Sequence, residues 1–245
     1  MKTVELFGVP TAALTMDETV EAARALVRTG TPHQHVVLNA AKVVAMHKDP
    51  RLKQAIAGCD LINADGASVV WASRALGRPL PERVAGIDLF LRLLEAAQKD
   101  GDSVYLLGAT PAVVDRVARV IEERFAGLRV AGHRDGFWVD DDEVVGEVRA
   151  AAPAYLFLAI PSPRKEFWLG QHLEELGVPF AMGVGGSFDV VAGTVRRAPR
   201  WMQRAGLEWS FRLVQEPRRM WKRYLVGNTA FIWLTLRERR KVRAA

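Results

Sequence analysis

Between His35 and Val190 the chain alternates short apolar runs with longer stretches of helical periodicity, and this alternation constrains the architecture more than any other feature. The runs "HVVLNA", "DLINADG", "SVYLLGAT", "LRVAGHRDG", "AYLFLAI" and "PFAMGVGGSFDV" each read as a strand that ends in a turn. Between them lie helical segments. "DPRLKQAIAGC" carries Leu52, Ala55 and Ile56 at helical spacing, and "ASVVWASRALG" and "IDLFLRLLEAAQKDG" stop at Gly77 and Gly101. "PAVVDRVARVIEERF" has Pro111 in its first turn, "DDDEVVGEVRAAA" has acids at its start, and "PSPRKEFWLGQHLEELG" follows the strand-like "AYLFLAI". Strands alternating with helices of this length give a parallel sheet with helices on both faces. The expected fold is therefore α/β and Rossmann-like. A length of 245 residues suits one such domain plus an appendage, and 49% hydrophobic residues suffice for its core.

In open parallel sheets, ligands bind beyond the carboxyl ends of the strands. Those ends carry Asn39, Asn63, Asp65–Gly66, Gly108, Thr110, Asp135–Gly136–Phe137, Ser162–Pro163 and Gly183–Val184–Gly185–Gly186. "LLGAT" leads into a helix whose free N–H groups can hold an anion, and "GVGGSFD" lets a ligand approach the backbone closely. Each also reads as ordinary turn chemistry. The usual NTPase and dinucleotide fingerprints are absent. Asp65 has two readings, the N-cap of the helix beginning at Ala67 or a general base at the mouth of the sheet. Asp140–Asp142 matches a D-x-D metal pattern, but acids at a helix start need no metal. The histidines at 33, 35, 47, 133 and 172 lack metal-ligand spacing, so no metal or cofactor is expected. Cys59 is the single cysteine, which rules out an intrachain disulfide.

The charge is uneven. The chain has 34 Lys+Arg and 28 Asp+Glu, yet from Arg196 onward 14 residues are basic and only 3 acidic. The net +6 thus resolves into −5 before Arg196 and +11 after it. "GLEWSFRLVQEPRRMWKRYLVGN", residues 206–228, interleaves those charges with Trp209, Trp221 and Tyr224. Such a tail suits an anionic partner: a membrane surface, a phosphorylated substrate or a nucleic acid. No RRM, KH or helix-turn-helix pattern accompanies it, which counts against nucleic acid. The apolar run Tyr224–Leu236 has 13 residues, short of the roughly 20 that span a bilayer, and the N-terminal residues do not read as a signal peptide.

Several motifs carry a more specific signal. "INADGASVVWASRALGRPLPERVAGIDL", "YLLGAT" and "GVGGSFDVVAGTVRRAPRWMQRAGLEWSFRLVQEPRRMWKRY" follow one another in an order that resembles the WecB/TagA/CpsF family of bacterial glycosyltransferases. The resemblance runs from about Val4 to Tyr224. It implies an inverting transfer of a sugar from a UDP-sugar to a lipid-linked diphosphate acceptor at the cytoplasmic membrane face, in cell-surface polysaccharide synthesis. It further implies a Rossmann-like core, residues 1–193, and a basic helical appendage, residues 194–245, that engages the membrane and completes the site. By motif, Asp65 corresponds to the catalytic base, and Asn39, Arg83, Lys165 and Glu166 to the donor-sugar region. Gly108, Thr110, Phe137, Gly185, Gly186 and Asp189 correspond to the nucleotide site, and Arg212, Arg219, Lys222 and Arg223 to the acceptor phosphates. A homo-oligomer is compatible with the family; a nucleic-acid partner is not expected.

There are departures from the pattern. Val37 replaces a common Thr, and the family's Gly-Leu-Gly-x-Pro-Lys-Gln-Glu appears as "AIPSPRKE", with Ala159, Pro161 and Lys165 as substitutions. These leave the sugar's identity open. Two other readings compete: an inactive relative acting as a membrane-associated binding subunit, and a basic nucleic-acid-binding protein.

Overall fold

The computed structural model describes residues 1–215 and 217–244, of which residues 204, 212, 217–226 and 241–244 are described in backbone only. The chain opens with β1 (Thr3–Leu6), β2 (Val9–Ala12), α1 (Met16–Thr29), β3 (His33–Leu38), α2 (Ala40–Lys48), α3 (Pro50–Ala57), β4 (Leu61–Ala64) and α4 (Ala67–Ala75). It continues with α5 (Gly86–Asp100), β5 (Ser103–Gly108), α6 (Pro111–Arg124), β6 (Arg129–Arg134), α7 (Asp141–Ala151), β7 (Tyr155–Ala159), α8 (Arg164–Leu176) and β8 (Phe180–Gly183). The short helices α9 (Ser187–Val191), α10 (Arg200–Arg204) and α11 (Glu208–Gln215) lead into the long α12 (Pro217–Ala244).

Six strands form one sheet in the order β4-β3-β8-β7-β5-β6, every pairing parallel. The expected Rossmann-like layering is present. Alternation along β7 shows how the sheet separates its two faces. Tyr155, Phe157 and Ala159 join the cluster that Leu93, Val117 and Ile121 build beneath α5 and α6. Leu156 and Leu158 join the opposite cluster beneath α7 and α8. With both faces covered, the central strands bury every residue, which is why they read as continuous apolar runs.

Local signals set the element ends. Thr15 and Glu18 close a reciprocal capping box on α1. Pro111 takes the first position of α6 behind a Thr110 cap, and Gly101 ends α5 in the left-handed conformation. Several elements escaped the sequence reading: the helices α1 and α2, and the strands β1 and β2, which form an antiparallel hairpin with Phe7–Gly8 at its turn, both at positive φ. Leu6 and Val9 carry it into the cluster shared by α2, α3 and α4.

That cluster also receives the appendage. Phe231 and Leu234 of α12, three residues apart on one helix face, are buried in it, and the Phe231 ring packs 5.5 Å from Phe7. On the other side of the same turn of helix, Ile232, Trp233 and Leu236 remain more than half exposed. Among the described residues no helix is long and apolar enough to cross a membrane.

Candidate active site

A cleft of about 550 Å³ opens at the carboxyl ends of β3 and β4. Its floor comes from Asn39, Asp65 and Arg83, and its outer wall from Trp209, Ile232 and Leu236 of the appendage. Three of the residues named from sequence thus meet at one cleft, although they lie on different loops.

Each is fixed by its local chain. Asn39 caps α2: its Oδ1 accepts from the Lys42 amide at 2.9 Å, which holds the side chain at the cleft edge. The Asp65 amide donates to the Leu38 carbonyl at 2.8 Å and so ties the end of β4 to that of β3. The cap reading of Asp65 does not hold. The N-cap of α4 is Gly66, at φ 113, and no side chain caps that helix. Asp65 therefore stands one residue before the cap, with its carboxylate among the cleft-lining groups. Gly86, the first residue of α5, lies beside that carboxylate: a Cβ there would be in ordinary van der Waals contact with Asp65 Oδ2, at 3.8 Å.

The appendage approaches through another glycine. Gly206 turns the chain at φ 73, and a Cβ would meet that of Ala67 at 2.8 Å. Only glycine lets the turn before α11 rest on the first residue of α4, beside Trp71. Glu208 then enters the site. Its carboxylate accepts a charge-assisted hydrogen bond from Arg83 Nη1 and lies 3.6 Å from Arg197 Nε. Arg197 places its fork on Asp88, with contacts of 2.6 and 2.7 Å, and Asp88 above all raises the guanidinium's already high pKa.

Beneath the cleft lies a buried polar layer. Lys42 Nζ meets Glu166 Oε1 at 2.7 Å, and Ser162 Oγ donates to Glu166 Oε2 at 2.8 Å. Burial alone would raise the Glu166 carboxyl's pKa; Lys42, Lys165 and these hydrogen bonds outweigh it and hold the group below its usual range. His35 is pushed down to about 3, chiefly by burial, and stays neutral at physiological pH while its Nε2 faces Asn63 Oδ1 at 3.1 Å. Lys165 is almost fully buried and runs across Gly183, where a Cβ would sit 2.9 Å from its stem. Glu166 is buried and is not among the residues that line the cleft.

The remaining named residues lie further along the same sheet edge. Gly185 and Gly186 follow β8, the neighbour of β3, and the Asp189 carbonyl accepts from the Thr194 and Val195 amides. Gly108 and Thr110 follow β5, three strands from β3, or roughly 14 Å at about 4.8 Å per strand. The Thr110 hydroxyl accepts from the Val113 amide at 3.4 Å. Phe137, beyond β6, is 72% exposed, with its amide held by Asp135. The side chains of Arg212, Arg219, Lys222 and Arg223 lie outside the described residues.

The triple aspartate has other partners. Asp140 Oδ1 accepts from the Asp142 and Glu143 amides as the cap of α7, and Asp141 Oδ1 accepts from Trp138 and Trp168. Among the described residues no three His, Cys, Asp or Glu side chains cluster as a metal site would require. Trp71, Glu208 and Phe231 were not singled out from sequence. Glu208 lies 125 residues from Arg83, and periodicity carries no signal over such a distance.

Comparison with known proteins adds to this geometry. The chain matches the glycosyl transferase WecG/TagA/CpsF family over residues 4–245. It is similar to the N-acetylglucosaminyldiphosphoundecaprenol N-acetyl-beta-D-mannosaminyltransferase of Bacillus spizizenii (strain ATCC 23059 / NRRL B-14472 / W23). The two are 36% identical over 178 residues, 73% of this chain and 69% of that protein. The Staphylococcus aureus (strain MW2) protein of the same name is 33% identical over 186 residues, 75% of this chain and 72% of its own length.

Proposed function

This chain belongs to the WecG/TagA/CpsF family of glycosyl transferases, and we propose that it moves an N-acetylhexosamine from a UDP-sugar to a polyprenyl-diphosphate-linked acceptor with inversion. The names of its relatives favour N-acetylmannosamine as the sugar and an N-acetylglucosaminyl diphosphate lipid as the acceptor. The work is done at the inner face of a bacterial plasma membrane, in the synthesis of a cell-wall polymer.

The observation that carries this reading is the convergence of Asp65, Asn39 and Arg83 on one cleft whose outer wall is apolar and partly exposed. In the proposed reaction the acceptor hydroxyl attacks the anomeric carbon, and Asp65 takes its proton. The bond from that carbon to the UDP oxygen breaks, and the diphosphate leaves with its charge. Arg83, Lys165 and the appendage arginines offset this charge, with backbone N–H groups at the Gly185–Gly186 and Gly108–Thr110 turns. The polyprenyl chain leaves past Trp209, Ile232 and Leu236. Tryptophans there suit the headgroup level, and the appendage lies on the membrane without crossing it.

The test is UDP release from UDP-N-acetylmannosamine in the presence of a prenyl-diphosphate N-acetylglucosamine acceptor, with UDP-N-acetylglucosamine and UDP-glucose as competing donors. Acceptor-dependent release with the first donor is expected. Release with another donor only would reassign the sugar, and none with any donor would leave the inactive-relative reading standing.

A further inference from the structure

Arg83 does not stand alone at the cleft. It is the last member of a chain of alternating charges that starts on the core, passes through the appendage and returns. Asp88, in the first turn of α5, receives the two Nη groups of Arg197. Arg197 turns its Nε toward Glu208 Oε1 at 3.6 Å, and Glu208 Oε2 receives Arg83 Nη1. Two arginines and two carboxylates balance. Exposure of the four side chains runs from 20% at Arg83 to 37% at Asp88. Ion pairs so close to solvent contribute little to stability, too little to explain the arrangement as a device for holding the fold.

What the chain does is fix geometry. An arginine side chain is long and loses much rotamer freedom when held in one place. Arg83 Nη1 donates to Glu208, and the residue is one of those that line the cleft. Glu208 is itself backed by Arg197, and Arg197 is fixed by its two contacts to Asp88. Asp88 lies two residues from Gly86, which is beside the Asp65 carboxylate. One helix N-terminus therefore adjoins the proposed base and anchors the chain that orients Arg83.

We propose that Glu208 is the positioning residue for Arg83, so that the appendage sets the geometry of the donor side of the cleft through a single carboxylate. The proposal rests on the reading of Arg83 as a donor-side ligand. It gives α11 a role apart from any contact with lipid: without Glu208 in place, the cleft holds an unoriented cation.

A double-mutant cycle tests this with UDP-N-acetylmannosamine as donor and a water-soluble, short-chain acceptor, so that membrane contact does not enter. Glu208→Gln keeps the shape and removes the charge. It should raise the donor KM or lower kcat/KM by about tenfold while the thermal midpoint stays near that of the parent. Glu208→Asp, which restores the charge on a shorter arm, should recover part of the loss. In an Arg83→Ala background Glu208→Gln should have no further effect, because there is no guanidinium left to position. An unaltered donor KM and kcat in Glu208→Gln, with Arg83→Ala impaired, would overturn the role of Glu208 alone. Equal losses from Glu208→Gln with and without Arg83 would make Glu208 merely structural. Full activity in Arg83→Ala would sink the reading of Arg83, and this proposal with it.

Discussion

Lys42 and Glu166 meet at 2.7 Å with side chains 4% and 1% exposed, an ion pair sealed beneath the turn that presents Asn39. Removing one partner would leave the other charge buried without compensation, a loss of about 3–5 kcal/mol. Glu166→Ala should therefore lower stability to denaturant by that order, and Lys42→Met similarly. The pair also sets a pH limit. The Glu166 carboxyl is held below its usual range in the folded state, so its contribution is present above the unfolded value of about 4.3 and is lost as pH falls through the folded value. Acid unfolding followed by circular dichroism should show a transition below pH 4.3 that shifts or vanishes in a Lys42→Met, Glu166→Leu double variant.

Asp65→Asn preserves size and polarity at the end of β4 but cannot take a proton. Because the N-cap of α4 is Gly66, the substitution removes no cap, and the folding penalty should be small. Turnover should fall about 10²–10⁴-fold, the ordinary worth of general base catalysis. Steady-state kinetics and a thermal melt on the same preparation decide the matter. A folded variant with parental kcat would reduce Asp65 to a cleft-lining polar group.

The fold was legible because each central strand is buried on both faces. Tyr155–Ala159 has no polar residue to interrupt it, and the helices between strands carry their own stops at Gly101 and starts at Pro111. The β1–β2 hairpin was not legible: its strands have four residues each, and burial alternates too briefly to stand out. Asp65, Asn39 and Arg83 could be named because ligands gather at strand ends and because the family motifs mark them. Glu208 could not. A glutamate at the start of a helix reads as dipole complement, and only the tertiary fold brings it to Arg83.

Two glycines that the family motifs assign to the nucleotide site should behave differently. A Cβ on Gly108, at φ 114, would lie 2.7 Å from the backbone of Ala159, which cannot yield without parting β5 from β7. Gly108→Ala should cost at least about 2–3 kcal/mol whatever the nucleotide site requires. At Gly185, φ 53, the nearest neighbour is Lys165 Nζ, the end of a side chain and not backbone, at 3.4 Å. Gly185→Ala should cost only about 1–2 kcal/mol. If the nucleotide passes this turn, affinity for UDP should drop more than stability does. Denaturant melts and UDP titration calorimetry on both variants compare the two effects directly.

Asp140 and Asp141 already accept hydrogen bonds from two amides and two indoles. Transfer should accordingly proceed in excess EDTA, and Asp142→Asn should be close to neutral. Asp141→Asn should weaken the fold and not the chemistry, because Trp138 and Trp168 both donate to it. Loss of turnover in EDTA that Mg²⁺ or Mn²⁺ restores would contradict this and return the triple aspartate to the site.

The two faces of α12 differ in burial. Phe231 and Leu234 are buried in the cluster beneath α2, α3 and α4, whereas Ile232, Trp233 and Leu236 are 58%, 55% and 52% exposed. Phe231→Ala should cost about 3–5 kcal/mol, the range for emptying a buried aromatic site. Serine at 232, 233 and 236 should leave stability within about 0.5 kcal/mol per site. It should nevertheless weaken binding to anionic phospholipid vesicles and transfer to a long-chain lipid acceptor, while transfer to a short-chain acceptor persists. Ending the chain at Gly193 removes both faces. Exposing the seats of Phe231 and Leu234 forfeits roughly 3–6 kcal/mol, at about 1.5–3 for each side chain. Domains of this kind hold about 5–15 kcal/mol in all, so the shortened chain should fold with a clearly lowered midpoint. It should also lose transfer to either acceptor, since Glu208 goes with it. Thermal melts, vesicle sedimentation and transfer assays on the three variants separate these outcomes. Full transfer by the shortened chain would remove the appendage from the active site and leave it an anchor.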